Sequence, residues 1–66
     1  MSDTPAALRA RIAELNVPRY IVAAAAGYHP ATLGKWLSES QPLPVIAAKR
    51  VRNALERLAA TAQELR

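Results

Sequence analysis

The sequence has no cysteine and no phenylalanine, one histidine, one tryptophan and two glycines. Each shortage removes a class of protein. Without cysteine there is no disulfide framework, no Cys-based zinc finger and no thiol redox motif. A single histidine cannot build a His-rich metal centre. No apolar run approaches the roughly 20 residues of a membrane span, since the longest, Tyr20 to Tyr28, is mostly alanine. The N-terminus lacks a basic segment followed by a long apolar one, so no signal peptide is read and a cytoplasmic location is expected. A chain of 66 residues is expected to be one domain, with little left over for the walls of a catalytic cleft.

Alanine, leucine and arginine dominate instead, and all three favour helix. The chain is 52% hydrophobic by count, but much of that is alanine, which buries little area. The core must therefore be small and built by close helix contacts rather than bulk. Nine Lys and Arg stand against five Asp and Glu, a formal net charge of +4. The pI near 10.4 points to a polyanionic partner.

No segment alternates with the period-two pattern of a strand, so the expected fold class is all-α, a compact bundle of about four helices. The first helix starts at Pro5 after a cap from Thr4 or Asp3, because proline at the first helical position loses no hydrogen bond. Its Leu8, Ile12 and Leu15 share one face. Asn16 is its left-handed terminator. The second helix covers about Pro18 to Ala26 and ends at Gly27, which can take the positive φ of a tight turn. The third runs from His29 or Pro30 to Leu37 or Ser38, with Leu33, Trp36 and Leu37 inward. The segment from Ser38 to Pro44 is a turn rich in proline and polar residues. The last helix runs from about Pro44 toward Leu65, with Ile46, Val51, Leu55, Leu58, Ala62 and Leu65 as its apolar face.

Nothing here reads as catalytic. His29 has no Ser, Cys or carboxylate placed to work with it, and there are no paired carboxylates or phosphate-cradling glycine loops. No enzyme activity, cofactor, metal or small-molecule ligand is expected.

The stretch from Arg19 to Ser38 has the requirements of a helix-turn-helix: a small residue (Ala23) at the helix crossing, and a glycine (Gly27) four positions later at the turn. Val22, Ala26, Tyr28, Leu33 and Trp36 are its inward apolar side chains. This segment, Arg19-Tyr-Ile-Val-Ala-Ala-Ala-Ala-Gly-Tyr-His-Pro-Ala-Thr-Leu-Gly-Lys-Trp-Leu-Ser38, resembles the helix-turn-helix of lambda-repressor-like regulators of the Cro/C1 family. The likeness runs from about Leu8 to Leu58. Beyond the motif, Gln41-Pro-Leu-Pro44 and the alanine- and leucine-rich last helix resemble the C-terminal part of small phage Cro-type proteins. Arg19 stands where that family commonly has glutamine, and Tyr28 where it has a small aliphatic residue. Pro30 and Ala31 stand where long polar readers often sit, and Gly34 interrupts the second helix of the motif.

The resemblance implies a sequence-specific transcriptional repressor, acting in the cytoplasm of a bacterial host by occupying operator DNA. Its partner is double-stranded DNA, met in the major groove and along the phosphate backbone. With the apolar side chains inward, the outer face of the third helix carries Pro30, Ala31, Gly34, Lys35 and Ser38. Lys35 can reach guanine O6/N7 or a phosphate, Pro30 and Ala31 thymine methyls, and Gly34 permits close approach. His29 and Thr32 are placed for phosphate or bases. Arg19 starts the preceding helix, where charge and dipole together suit a phosphate. Lys49, Arg50 and Arg52 are read either as further phosphate contacts or as a solvated stripe, and Arg9, Arg11 and Arg57 as solvated helix faces. Val51, Leu55, Leu58, Ala62 and Leu65 have heptad-like spacing, so the C-terminal helix is read either as a homodimer contact or as a frayed end, with a monomer also open. Two other functions fit the chain. One is an excisionase-like recombination factor, which would add a β wing. The other is a protein-interaction module such as an antitoxin or adaptor.

Overall fold

The computed structural model describes residues 3–64, and side chains as far as residue 61. It contains four helices, α1 (Pro5–Leu15), α2 (Arg19–Ala26), α3 (Pro30–Leu37) and α4 (Val45–Glu64), and no strand among the described residues. Leu65 and the side chain of Ala62, the far end of the heptad pattern, lie outside the described residues.

Local chemistry sets most helix ends. The Thr4 hydroxyl oxygen accepts from the Ala7 N–H at 3.2 Å, with Pro5 following it in the first turn. Asn16 closes α1 in the left-handed conformation at φ 54, one of the few non-glycine residues that tolerates it. Gly27 closes α2 at φ 85, and the Gly27 and Tyr28 N–H groups bond the Ala24 and Ala23 carbonyls, the paired closure that lets a helix stop within two residues. Pro18 and Pro44 stand just outside α2 and α4 rather than within them. They supply carbonyls, at 3.1 Å to the Ile21 N–H and 2.9 Å to the Ala48 N–H, while lacking an N–H of their own.

α3 ends by the same paired closure, with an unexpected residue at its pivot. Glu39 takes the left-handed φ of 64. The Ser40 N–H reaches back to the Lys35 carbonyl at 3.0 Å and the Glu39 N–H to that of Trp36 at 3.2 Å. The Lys35 carbonyl also accepts from the Ser38 and Ser40 hydroxyls at 3.2 and 3.1 Å. These bonds fix the loop that leads to α4.

The helices form a ring. α2 packs on α3 and α4, and α1 packs on the same two, so α3 and α4 face each other across the core. Its centre is Leu8, Val22, Ala23, Leu33, Leu37, Val51, Ala54 and Leu55, each no more than 2% exposed. Alanine at positions 23, 47, 48 and 54 is what lets the axes approach closely, as the composition implies. Among the expected inward residues, Val22, Ala26 and Leu33 are buried, while Tyr28 and Trp36 are half-buried against the core.

Ile46 is a correction. Expected on the inner face of α4, it is 68% exposed, and Ala47 and Ala48 are buried in its place. The reason is phase. Ile46 precedes Val51 by five residues, which turns it about 140° away from the stripe made by residues 47, 48, 51, 54, 55 and 58. No helix among the described residues is long and apolar enough to cross a membrane.

Candidate nucleic-acid interface

α3 shows one face to the ring and leaves the other open. Leu33 and Leu37 are buried, whereas Pro30, Ala31, Lys35 and Ser38 are exposed and Thr32 and Gly34 are half-buried at the edges. This is the division that the 3.6-residue period imposes on an eight-residue helix with one buried stripe. Among the described residues, no side chain of another helix forms a hydrogen bond or ion pair with the side chains of Ala31, Lys35 or Ser38.

Side chains gather along both edges of that face. At one edge lies Arg19, from the first turn of α2. A Cβ built at Gly34 would stand 3.4 Å from Arg19 Nη1, so the guanidinium lies directly over the glycine. At the other edge, Trp36 meets Tyr28 edge-on, with ring centroids 5.0 Å apart. The Arg50 guanidinium from α4 then lies 5.8 Å from the centre of the Tyr28 ring, within cation–π range. Gly34 and Trp36 are about 200° apart around α3, so Arg19 lies at one edge of the exposed face, while Arg50 reaches the Trp36 side only through the Tyr28 ring.

His29 caps the start of α3. Its Nδ1 accepts from the Ala31 N–H at 3.2 Å, so in the neutral ring the proton sits on Nε2, which remains a donor at the surface. Ser38 is occupied differently from its sequence reading. Its hydroxyl donates to the Lys35 carbonyl and meets the Ser40 hydroxyl at 3.3 Å, which makes it part of the helix closure. Lys49 is exposed on α4, turned about 100° round the helix from Arg50, and nothing links it to α3.

The described cations divide into two groups. Arg11 pairs with Glu14 at 3.8 Å, and Arg52 with Asp3 at 3.1 Å. Arg9 pairs with Glu39 at 3.7 Å and also donates to the Leu37 carbonyl at the end of α3. Arg57 donates to the Ala25 carbonyl near the end of α2 at 2.8 Å. Arg9 and Arg57 are therefore more than solvated faces. Each brings positive charge to a helix C-terminus, where unpaired carbonyls collect negative partial charge. Arg52 holds the start of the chain to α4. The remaining cations, Arg19, Lys35, Lys49 and Arg50, have no carboxylate or carbonyl partner among the described residues.

Three carboxylates thus pair with Arg9, Arg11 and Arg52, of which only Arg9 reaches α3, at its C-terminal end, and Lys35 on its open face is left uncompensated among the described residues. No group of His and acidic side chains among the described residues is arranged to hold a metal ion. In comparison with known proteins, the chain matches no family model, no curated protein and no solved structure.

Proposed function

We propose that the chain is a double-stranded DNA-binding repressor of the Cro kind, in which α2 and α3 form a helix-turn-helix and α3 enters the major groove. The observation that carries this reading is the charge division: among the described residues the cations with no carboxylate or carbonyl partner are Arg19 at one edge of α3, Lys35 on its open face, and Lys49 and Arg50 on α4.

In this reading α3 lies between the two phosphate walls of the groove, with Arg19 beside its open face and Arg50 on α4 meeting a phosphate. Lys35 reaches a guanine edge or a phosphate from the middle of the helix. Pro30 and Ala31 offer small apolar contacts for thymine methyls. The His29 Nε2–H and the Thr32 hydroxyl add short-range donors near the start of α3, where recognition helices meet base edges. The reading face has one lysine and otherwise small side chains, so base contacts are few, and phosphates and DNA shape carry much of the affinity. Repression follows from occupancy of the site. Two copies joined through the end of α4 would present two such faces roughly 34 Å apart, one turn of the double helix.

The test begins with selecting duplexes that the chain retains from a randomised pool. Guanines of a selected duplex are then methylated at N7, which lies in the major groove. Methylation at one or more positions is expected to block binding. An enriched site whose binding ignores every N7 methyl group would refute major-groove entry, and a pool with no enriched site would refute sequence-specific recognition.

A further inference from the structure

Resting on the DNA-binding reading, we propose that Arg19 is a specificity-determining residue that reads a guanine by bidentate hydrogen bonding, and that Gly34 is the seat that holds it there. The open face of α3 has no planar donor of its own. Lys35 is a point charge on a flexible stem, and the Ser38 hydroxyl proton is spent on the Lys35 carbonyl. The one guanidinium at mid-helix belongs to Arg19, brought across from α2 to lie 3.4 Å from where a Gly34 side chain would begin.

Three observations favour a base reader over a simple phosphate anchor. The guanidinium makes no salt bridge and no hydrogen bond among the described residues, so all its N–H donors are available. It rests against Gly34, at one edge of the open face of α3. A phosphate anchor needs charge but no fixed seat, whereas a bidentate contact to O6 and N7 needs the planar fork held in place. Gly34 leaves room for the guanidinium to lie against the helix, 3.4 Å from where a side chain would begin, at a helix-propensity cost of about 1 kcal/mol against alanine. An otherwise disfavoured residue in an eight-residue helix thereby acquires a role.

The experiment compares the sites selected from a randomised duplex pool by the unaltered chain, by Arg19→Lys and by Gly34→Leu. Arg19→Lys keeps the charge and loses the fork. The unaltered chain is expected to select a guanine at a defined position of its site. Arg19→Lys is expected to lose that preference by about tenfold or more, with the rest of the site and the salt dependence unchanged. Gly34→Leu fills the seat and is expected to weaken the same position, while circular dichroism confirms that it folds. If Arg19→Lys selects the same guanine as strongly as the unaltered chain, Arg19 is a phosphate contact and the proposal is overturned while the DNA-binding reading stands. If Gly34→Leu leaves the preference intact, the seat is overturned. Absence of any selected site for the unaltered chain would defeat the underlying reading instead.

Discussion

Leu33→Ala is expected to leave most of the chain unfolded at 37 °C. Leu33 is fully buried on the inner side of α3, where the helix meets both α1 and α2. Removing its side chain forfeits the transfer energy and opens a cavity, together about 2–5 kcal/mol. A helical core of this size supplies roughly 3–5 kcal/mol in total, so one such deletion consumes most of the margin. The ring has no second layer to close the gap, and the alanines around it have no length to reach into it. Lys35→Ala is the matched control, because it changes the same helix on its exposed side and should shift the melt by no more than about 0.5 kcal/mol. Thermal melting followed by circular dichroism at 222 nm measures both. A cooperative melt for Leu33→Ala at the temperature of the unaltered chain would contradict this packing.

The second large effect is on binding. Replacing Arg19, Lys35 and Arg50 together by alanine is expected to weaken affinity for the selected duplex by on the order of 100-fold near 0.15 M salt. Lys35 and Arg50 each contribute about fivefold there through counterion release, and the Arg19 contact to a guanine about tenfold. The fold should survive, because none of the three has a carboxylate partner. The contact of Arg50 with the Tyr28 ring is lost, at about 0.5–1 kcal/mol, together with the exposed packing of Arg19 against Gly34. The corresponding triple replacement of Arg9, Arg11 and Arg52 removes the same formal charge from residues committed to internal partners. It should cost much less affinity per charge lost. Fluorescence anisotropy on a labelled duplex distinguishes the two. Equal losses would mean that net charge, rather than its placement around α3, governs binding.

What can be read in the sequence is local. Thr4 with Pro5, Asn16, Gly27 and the His29-Pro30 pair mark helix ends through groups within a few residues, so their effect needs no tertiary knowledge. The buried stripe of α3 is equally legible from its period. Ile46 misleads because its apolar character outweighs its angular phase in a reading by residue type, and in a core built on alanine the small residues at 47 and 48 are the inward ones. Glu39 at φ 64 gives no signal, since a glutamate seldom occupies that conformation and only the closure of α3 demands it. The bonds from Arg9 to Leu37 and from Arg57 to Ala25 join residues 28 and 32 positions apart. They depend on how the ring closes, which no single helix encodes. The seat of Arg19 on Gly34 is hidden for the same reason: the sequence shows an arginine and an unfavourable glycine, and only the crossing of α2 and α3 joins them.

The charge division also refines the meaning of the +4 total. A uniform excess would attract any polyanion along the whole surface. Here three of the acidic side chains pair with Arg9, Arg11 and Arg52, so among the described residues the cations left with neither a carboxylate nor a carbonyl are Arg19 and Lys35 at α3 and Lys49 and Arg50 on α4.

The most direct test of the central claim is the salt dependence of binding to double-stranded DNA. Lys35, Lys49 and Arg50 meeting phosphates predict that the logarithm of the binding constant falls linearly with the logarithm of salt concentration, with a slope of about −2.7 per bound chain, and that the triple replacement of Arg19, Lys35 and Arg50 reduces this to about −0.9. A slope near zero for the unaltered chain, or one that the triple replacement leaves unchanged, would contradict a DNA-binding face built around α3.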